Sequence, residues 1–484
     1  MNLLTDFKNI FLNIYIIIPF VMVFIFGGLT FLKNPVYLRR LAKLFYFIQF
    51  AFASFLFIGI GETRFSILNI SFHYEKFSSI LLFTISFIFL IFSMLSKTFI
   101  LKSHKAFWIT NLLIFGLLNT TILSDNILIC YLNLIWIFFL FYFLNITFSY
   151  SKQYKKNINS QLKLDIGIVA FSICCILYDF LRYFVLNDIE FCFSNISENL
   201  YHINSFSTNV AFFGFLILIL KLYNLMPFTC KNIENSDKVN PLTVYICSMV
   251  QFILATFLFI KTNIIFAYLY YDYQSIIALY LIISLIYFSI LAFGYNSIYK
   301  FLNTLLIIFS IMNIFSTFVF NESGINTFIY ASVGLVFSYS LMFFILAILS
   351  NKFKTDNFEE FKRISSKSPI VFYMIFSTLN LIGVPLFATF SSRFSIFVNL
   401  FGVVFEKTFM NIVPYILVIA CFTISITIYK MFHKVLIAPV EAQKYIIKLS
   451  GHQNIVLILL CFSVIVFGLF AQNSFNVSIL NINS

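Results

Sequence analysis

The chain has 484 residues, of which 61% are hydrophobic and only 10% are charged, and its formal net charge is +13. Its mean hydropathy of +0.98 excludes a water-soluble domain, since apolar runs of about twenty residues, long enough to cross a bilayer, recur from end to end. These solid runs also exclude a transmembrane β-barrel, whose strands alternate apolar and polar residues.

The hydrophobic pattern predicts an all-α, polytopic transmembrane helical bundle of about fourteen spans, each able to cross about 30 Å of hydrocarbon. The predicted spans are 10–32, 44–61, 78–96, 106–124, 126–149, 164–187, 204–228, 241–260, 274–295, 301–320, 325–350, 369–405, 410–436 and 453–472. The run 369–405 is too long for one straight span, because as a continuous helix it would measure about 55 Å. Gly383 and Pro385 lie inside it and predict a discontinuous helix, which membranes tolerate in a protein interior or along a wet cavity.

Charges in the predicted connections alternate between basic and acidic along the chain. The odd-numbered connections, and the end of the span that precedes the last of them, carry Lys33, Arg39, Arg40, Lys43, Lys97, Lys102, Lys105, Lys152, Lys155, Lys156, Lys163, Lys300, a mixed segment at 352–367, Lys430, Lys434, Lys444 and Lys448. The even-numbered connections carry Asp125, Asp188, Glu190, Glu198 and Glu322. A wrong span count would destroy this alternation, and the positive-inside rule places the basic face in the matrix or cytoplasm. The net positive charge reflects this asymmetry and does not indicate nucleic-acid binding.

The sequence offers no recognisable metal or cofactor site. Its eight Cys and five His are scattered along the chain, without a CxxC or a Cys/His cluster of metal-ligand spacing. No nucleotide-binding glycine loop occurs either. We therefore expect no metal, iron–sulfur cluster, haem or nucleotide in this chain.

Composition and the N-terminus bear on where the chain is made. The 70 Phe residues indicate drift toward AT-rich codons, as in a compact organelle genome or an AT-rich bacterium, because a bilayer asks only for apolar side chains. The first apolar run has no cleavage site and no Arg-rich presequence, so we expect it to stay as a helix.

Four of the charged side chains within the predicted spans are candidates for a functional role. Asp179 and Arg182 are three residues apart on one helix, so they can form an intramembrane ion pair, structural or functional. Lys221 lies six residues before Pro227, and either snorkels to the basic face or is buried beside a broken helix. Arg393 lies deeper, with apolar sequence on both sides. Intramembrane ionisable residues usually mark an ion or proton pathway.

The stretch around Arg393 resembles a motif of the antiporter-like subunits of proton-pumping NADH–ubiquinone oxidoreductase (respiratory complex I). "LNLIGVPLFATFSSRFSIF" is similar to the consensus LSLAGIPPxxGFxxKF, with Leu381, Gly383, Pro385, Phe390, Arg393 and Phe394 in register. "LKLYNLMPFTCKNIENSDKVNPLTVYICSMVQF" resembles a second motif of the family, with Lys221, Pro227, Phe228 and Pro241 in register. "ITIYKMFHKVLIAP" is similar to the end of the family's thirteenth helix. The basic residue followed by Phe394 favours subunit 2.

The resemblance implies an organisation, a location and partners. It implies two inverted five-helix repeats, each with a discontinuous helix: 1–105 is an N-terminal three-helix segment, 106–262 the first repeat, 263–437 the second repeat, and 438–484 a C-terminal loop and last helix. It implies the mitochondrial inner membrane, with a bacterial inner membrane as the alternative. The implied partners are other membrane-arm subunits and phospholipids, with cardiolipin as one candidate. NADH, FMN, iron–sulfur clusters and ubiquinone would belong to other subunits.

This chain departs from the family pattern at the titratable positions. Gln251 stands where the family's eighth helix has Lys, Ile135 where the fifth has Glu, and Arg393 where the twelfth has Lys. We hypothesise a reduced proton relay through Lys221 and Gln251. Arg393, whose guanidinium stays protonated, could be a fixed electrostatic gate, or it could anchor an anionic lipid or a neighbouring subunit. The loss of the fifth-helix Glu removes the carboxylate that pairs with Lys221 in the family.

Several other functions stay open at this point. The subunit could have lost proton pumping and serve as a scaffold in the membrane arm. A polysaccharide flippase or polymerase also has many spans and a few buried cations, but has no reason to hold both ordered motifs. A stand-alone multi-subunit cation/proton antiporter subunit is the third alternative.

Overall fold

The computed structural model describes residues 2–28, 35–59, 63–67, 70–99, 105–149, 152–186, 192–199, 205–228, 236–365, 367–436 and 446–469. It is 86% helical, and its described part contains 12 helices that are long and apolar enough to cross a membrane. The prediction of an all-α polytopic transmembrane bundle is confirmed. Two further apolar helical segments, Leu12–Ile25 and Pro369–Ile382, also occur in the described part, and the count of about fourteen spans stays a prediction.

The chain divides into two compact units, and the first comprises Met1–Leu222 and Lys238–Leu269. Its elements are α1 (Asn2–Gly28), α2 (Pro35–Gly59), β1 (Thr63–Ile67), β2 (Ile70–Tyr74), α3 (Lys76–Phe99), α4 (Lys105–Leu123), α5 (Ile127–Thr147), α6 (Lys152–Leu186), α7 (Phe193–Asn199), α8 (Ser205–Leu222) and α9 (Pro241–Ile265). Strands β1 and β2 form an antiparallel hairpin in which Thr63 pairs with Tyr74. Helix α9 is apolar on all sides and is buried along most of its length.

Backbone contacts fix which helix ends meet in the first unit. Asn240, which caps the start of α9, donates its N–H to Phe148 O at the end of α5, 3.2 Å away. We call this the basic end, since α6 starts there at Lys152. At the opposite end, the hairpin residue Phe72 pairs with Ser124 after α4. We call this the acidic end, since it also holds Asp125, whose N–H donates to Ser71 O at 3.2 Å.

The second unit comprises Tyr223–Asp237 and Tyr270–Ser484. The short helix α10 (Ala267–Asp272) leads into it, and its other helices are α11 (Gln274–Gly294), α12 (Ile298–Phe315), α13 (Glu322–Phe353), α14 (Pro369–Ile382), α15 (Ala388–Phe401), α16 (Val413–Leu436) and α17 (Gly451–Leu469). Helix α13 is the central helix: it packs against α12, α14, α15 and α17, and its membrane-spanning window is fully buried.

The predicted long run 369–405 is interrupted in the structure. Helix α14 ends at Ile382 and α15 begins at Ala388, so Gly383 and Pro385 lie in the break. Gly383 has φ 91°, and its N–H donates to Asn380 O while Val384 N–H donates to Leu379 O. This is the Schellman arrangement that ends helices at a left-handed glycine.

Three other boundaries differ from the prediction. Helix α8 ends at Leu222, and Pro227 lies in the turn that follows; the chain after this turn, 229–235, falls outside the described residues, so the discontinuous helix near Lys221–Pro227 stays a prediction. Asn224 takes the left-handed conformation at φ 54°, and the chain leaves the helix there before proline can act. Helix α9 continues to Ile265 and α6 starts as early as Lys152. The predicted spans were shorter because a charged residue lowers the mean hydropathy of the window that contains it. The hairpin was not predicted at all.

Candidate functional site

Lys221 is buried in the last turn of α8 and forms an ion pair with Asp165 on α6. Its Nζ lies 2.6 Å from Asp165 Oδ1, and the side chains are 3% and 15% exposed. A buried ammonium is costly unless it is paired, and the carboxylate supplies that partner. The snorkelling interpretation of Lys221 is therefore wrong. The fifth-helix Glu of the family is absent as expected, but Asp165 on α6 supplies Lys221 with a different carboxylate partner.

Sequence reasoning missed Asp165 because the sixth span was predicted to start only one residue earlier, at 164. In the structure α6 starts at Lys152, and Asp165 faces the end of α8. One signal in the sequence could have indicated it: Asp165 is a single acid between the apolar residues Leu164 and Ile166. An ion pair enclosed between two adjacent helices is an arrangement in which a small change in local charge can move a proton.

Gln251 lies in the middle of α9 and is 8% exposed. It stands ten residues after Pro241 at the basic end and ten residues before Lys261, about 15 Å along the helix axis in each direction. A buried amide can orient water through its donors and its acceptor, but it holds no net charge.

A second buried ion pair of the first unit was not predicted. Lys261 Nζ lies 2.6 Å from Glu75 Oε1, which precedes α3, and His73 Nδ1 lies 2.9 Å from the same oxygen. Burial alone would raise the pKa of Glu75, but the Lys261 ammonium and the hydrogen bond with His73 together lower it to about 2. Lys261 was missed because the eighth span was predicted to end at 260.

Arg393 caps the broken helix of the second unit. Its Nη2 donates to Leu381 O and its Nη1 donates to Ile382 O, each at 2.7 Å, and its guanidinium lies 4.9 Å from the centre of the Phe309 ring. The last carbonyls of a helix lack helical partners and carry the negative end of its dipole. The planar fork of Arg therefore satisfies two such carbonyls where α14 ends inside the unit.

The candidate site residues predicted from the sequence are thus divided between the two units. The first unit contains Lys221 and Gln251, while the second contains Arg393, Gly383 and Pro385. Asp179 and Arg182 belong to the α6 backbone, but their side chains lie outside the described residues, so their ion pair stays a prediction.

No family model and no curated protein sequence matches this chain. Its fold matches that of a chain in respiratory complex I from Thermus thermophilus with bound NADH, with a TM-score of 0.78, 14% identity and 95% of each chain covered. A chain of the membrane-bound sulfane sulfur reductase, an archaeal respiratory membrane complex, matches with a TM-score of 0.78, 12% identity and 96% of each chain covered. A chain of the Thermus thermophilus complex with bound Aureothin matches with a TM-score of 0.70, 12% identity, and 94% of this chain and 97% of that chain covered. The protein thus shares, along almost its whole length, a fold found in respiratory membrane complexes.

Proposed function

We propose that this protein is an antiporter-like membrane-arm subunit of a proton-pumping NADH–ubiquinone oxidoreductase. The fold similarity to a chain of respiratory complex I over 95% of both chains supports this assignment, and so do the two ordered motifs around Lys221 and Arg393. The observation that carries the functional part is the buried Lys221–Asp165 ion pair. A polysaccharide flippase can also hold buried cations, but it has no reason to hold both ordered motifs.

Lys221 acts in this proposal as the titratable switch of a proton path through the first unit. Its ammonium is buried and is paired with the Asp165 carboxylate, and a lysine, unlike an arginine, can release its proton when a nearby charge changes. Gln251 orients water along α9 and passes protons without becoming charged. Asp165 on α6 takes the place of the carboxylate that the fifth helix lacks.

Arg393 acts as a fixed positive charge in the second unit. Its guanidinium stays protonated, so it cannot carry a proton, and its hydrogen bonds to Leu381 and Ile382 hold the end of α14. In this proposal the Arg393 charge repels protons at the break between α14 and α15. If the first unit has also lost conduction, the protein is a scaffold of the membrane arm, and proton measurements on Lys221 variants separate the two cases.

The finer assignment is subunit 2 of the complex in the mitochondrial inner membrane, with a bacterial inner membrane as the alternative. The Arg393–Phe394 pair supports the subunit, and the Phe-rich composition supports the organelle. Electron transfer from NADH to ubiquinone occurs in other subunits, and its energy drives the proton path.

Phospholipid is the proposed partner at an apolar groove of about 460 Å³ between α11 and α16. The groove is lined by side chains such as Ile290, Phe293, Ile419 and Ile426. Lys430 Nζ lies 3.4 Å from the centre of the Phe293 ring, where both helices approach their C-termini. An acyl chain can occupy the groove, and an anionic headgroup can pair with the Lys430 ammonium beside it.

Native electrophoresis of solubilised membranes tests the assignment. With an antibody or tag on this chain, we expect it to migrate with the large assembly that stains for NADH dehydrogenase activity. Migration in a smaller assembly without that activity would indicate a stand-alone cation/proton antiporter, and migration as a single chain would favour a flippase.

A further inference from the structure

The two buried ion pairs of the first unit lie at opposite ends of its helical bundle. Lys221 is in the last turn of α8 and pairs with the half of α6 nearest the basic end. Lys261 is near the end of α9 and pairs with Glu75, which follows the hairpin at the acidic end. Lys261 is twenty residues from the start of α9, or about 30 Å along its axis, which is the thickness of the hydrocarbon core.

We propose that Lys261, Glu75 and His73 form the proton-exchange station of the first unit at its acidic end. The inference rests on the proposed function and adds to it the site at which the proton leaves the protein. It is carried by three titratable side chains that share one oxygen atom and that lie at the end opposite the Lys221–Asp165 pair.

The three side chains lead from the protein interior toward the surface. Lys261 is 10% exposed, whereas Glu75 and His73 are each 18% exposed. The rings of Phe77 and Phe193 lie 5.3 and 5.8 Å from Lys261 Nζ and shield the ammonium from water. The carboxylate oxygen therefore connects a shielded amine to an imidazole that solvent can reach.

A purely structural role explains the site less well. The hairpin is already held by five pairs between its strands and by backbone contacts to Ser124 and Asp125. A buried ion pair adds little net stability, because desolvating the two charges offsets most of their attraction. An apolar side chain could pack in the place of Lys261, but only a lysine there carries a proton that it can release.

The transfer conserves charge at each step. The Lys261 ammonium passes a proton to Glu75 Oε1, leaving a neutral amine and a carboxyl group. In the resting state His73 Nδ1–H donates to Glu75 Oε1, so exchange with water first moves this proton to Nε2 and leaves Nδ1 able to accept. The carboxyl then passes its proton to His73 Nδ1, which restores the carboxylate and forms an imidazolium. The imidazolium releases its Nε2 proton to water, which returns the ring to the resting Nδ1–H tautomer. The amine is then recharged from the path that contains Gln251.

The resting ion pair keeps this exit closed. Because the pKa of Glu75 is held near 2, the carboxylate does not take the Lys261 proton until charge elsewhere in the unit disfavours the ammonium. Protons from the solvent do not pass inward through Glu75 either, because the Glu75 carboxylate stays ionised at any physiological pH. Among the described residues, Cys130 on α5 is a further titratable group within electrostatic reach of Lys261.

The test replaces Lys261 by Arg in the assembled complex and measures the proton-to-electron ratio in sealed vesicles. Arg keeps the positive charge beside Glu75 but does not release a proton. The proposed station predicts normal assembly and NADH oxidation with a ratio lowered as far as in a parallel Lys221→Arg variant. Lys300→Arg, which preserves a partly buried pair with Asp237 at 3.0 Å, is the matched control and should leave the ratio unchanged.

The outcomes separate the inference from the proposed function. An unchanged ratio in Lys261→Arg together with a lowered ratio in Lys221→Arg would overturn the exchange station alone. Unchanged ratios in both would overturn the proton path as well. If Lys261→Arg does not assemble, the isosteric Glu75→Gln variant gives the same readout, because an amide cannot accept the Lys261 proton; a ratio equal to that of the native complex would then refute the station.

Discussion

The Arg393 guanidinium occupies the space beside Gly383 that any larger residue would need. A β-carbon built on Gly383 would lie 2.9 Å from Arg393 Nη1, and the glycine has a φ of 91° that other residues rarely adopt. The break between α14 and α15 thus depends on two residues of different function. Glycine ends the helix, and arginine satisfies the carbonyls that this ending leaves without partners.

Gly383→Ala is expected to destabilise the protein by about 1–2 kcal/mol from the left-handed backbone alone, and further because the guanidinium must move. Thermal unfolding of the purified protein in detergent measures the effect. Gly294→Ala is the matched control, since a β-carbon there meets nothing within 4 Å and should change stability by less than about 0.5 kcal/mol. Equal stability of the two variants would contradict this account of the break.

Arg393→Met should lower the free energy of unfolding by about 1.5–3 kcal/mol for each charge-assisted hydrogen bond that it removes. Arg393→Lys keeps the charge but presents a single ammonium, so it should fall between the native protein and Arg393→Met. The same unfolding measurement ranks the three proteins. A Lys variant as stable as the native protein would mean that charge alone matters here and that the two-carbonyl cap does not.

The Lys221–Asp165 pair can be tested by a double-mutant cycle. Lys221→Met alone leaves a buried carboxylate without its cation and should cost about 3–5 kcal/mol, as should Asp165→Asn for the opposite reason. The double variant removes both charges and should recover most of that stability while remaining inactive in proton transfer. Strictly additive losses, measured by denaturant or thermal unfolding, would show that the two side chains do not interact.

Asp356 gives a pH dependence with a defined sign. Burial and the nearby Asp237 carboxylate raise the pKa of Asp356 from 3.8 to about 6. The folded state therefore binds this proton more tightly than the unfolded state, and the resulting stability is present below pH 4 and lost as the pH rises through 6. Asp356→Asn should remove this loss, so the melting temperatures of the variant and the native protein should diverge, in favour of the variant, between pH 5 and 8. Parallel pH profiles would contradict the prediction.

The fold was readable from the sequence where local chemistry decides it. Apolar runs predicted the membrane helices, and Gly383 with Pro385 predicted the interruption, because a left-handed glycine and a residue without an N–H both end helices locally. Pro227 shows the limit of this reasoning, since Asn224 turns the chain before the proline is reached.

The partners of the buried charges could not be predicted in the same way. Glu75 and Lys261 are 186 residues apart, and nothing in either local sequence indicates which helix will face it. A hydropathy window treats a single charge near a span end as a boundary, so Asp165 and Lys261 were assigned to membrane edges. That Arg393 reaches back to Leu381 and Ile382 depends on the path of the chain through the break, which composition does not encode.

The most direct test of the central claim, that Lys221 is the titratable switch of a proton path, is the proton-to-electron ratio of the complex carrying Lys221→Arg. The substitution retains a cation for Asp165 and removes only the ability to give up a proton. The account predicts an assembled complex that oxidises NADH but moves fewer protons per electron than the native complex. A ratio equal to that of the native complex, at equal assembly, would contradict it.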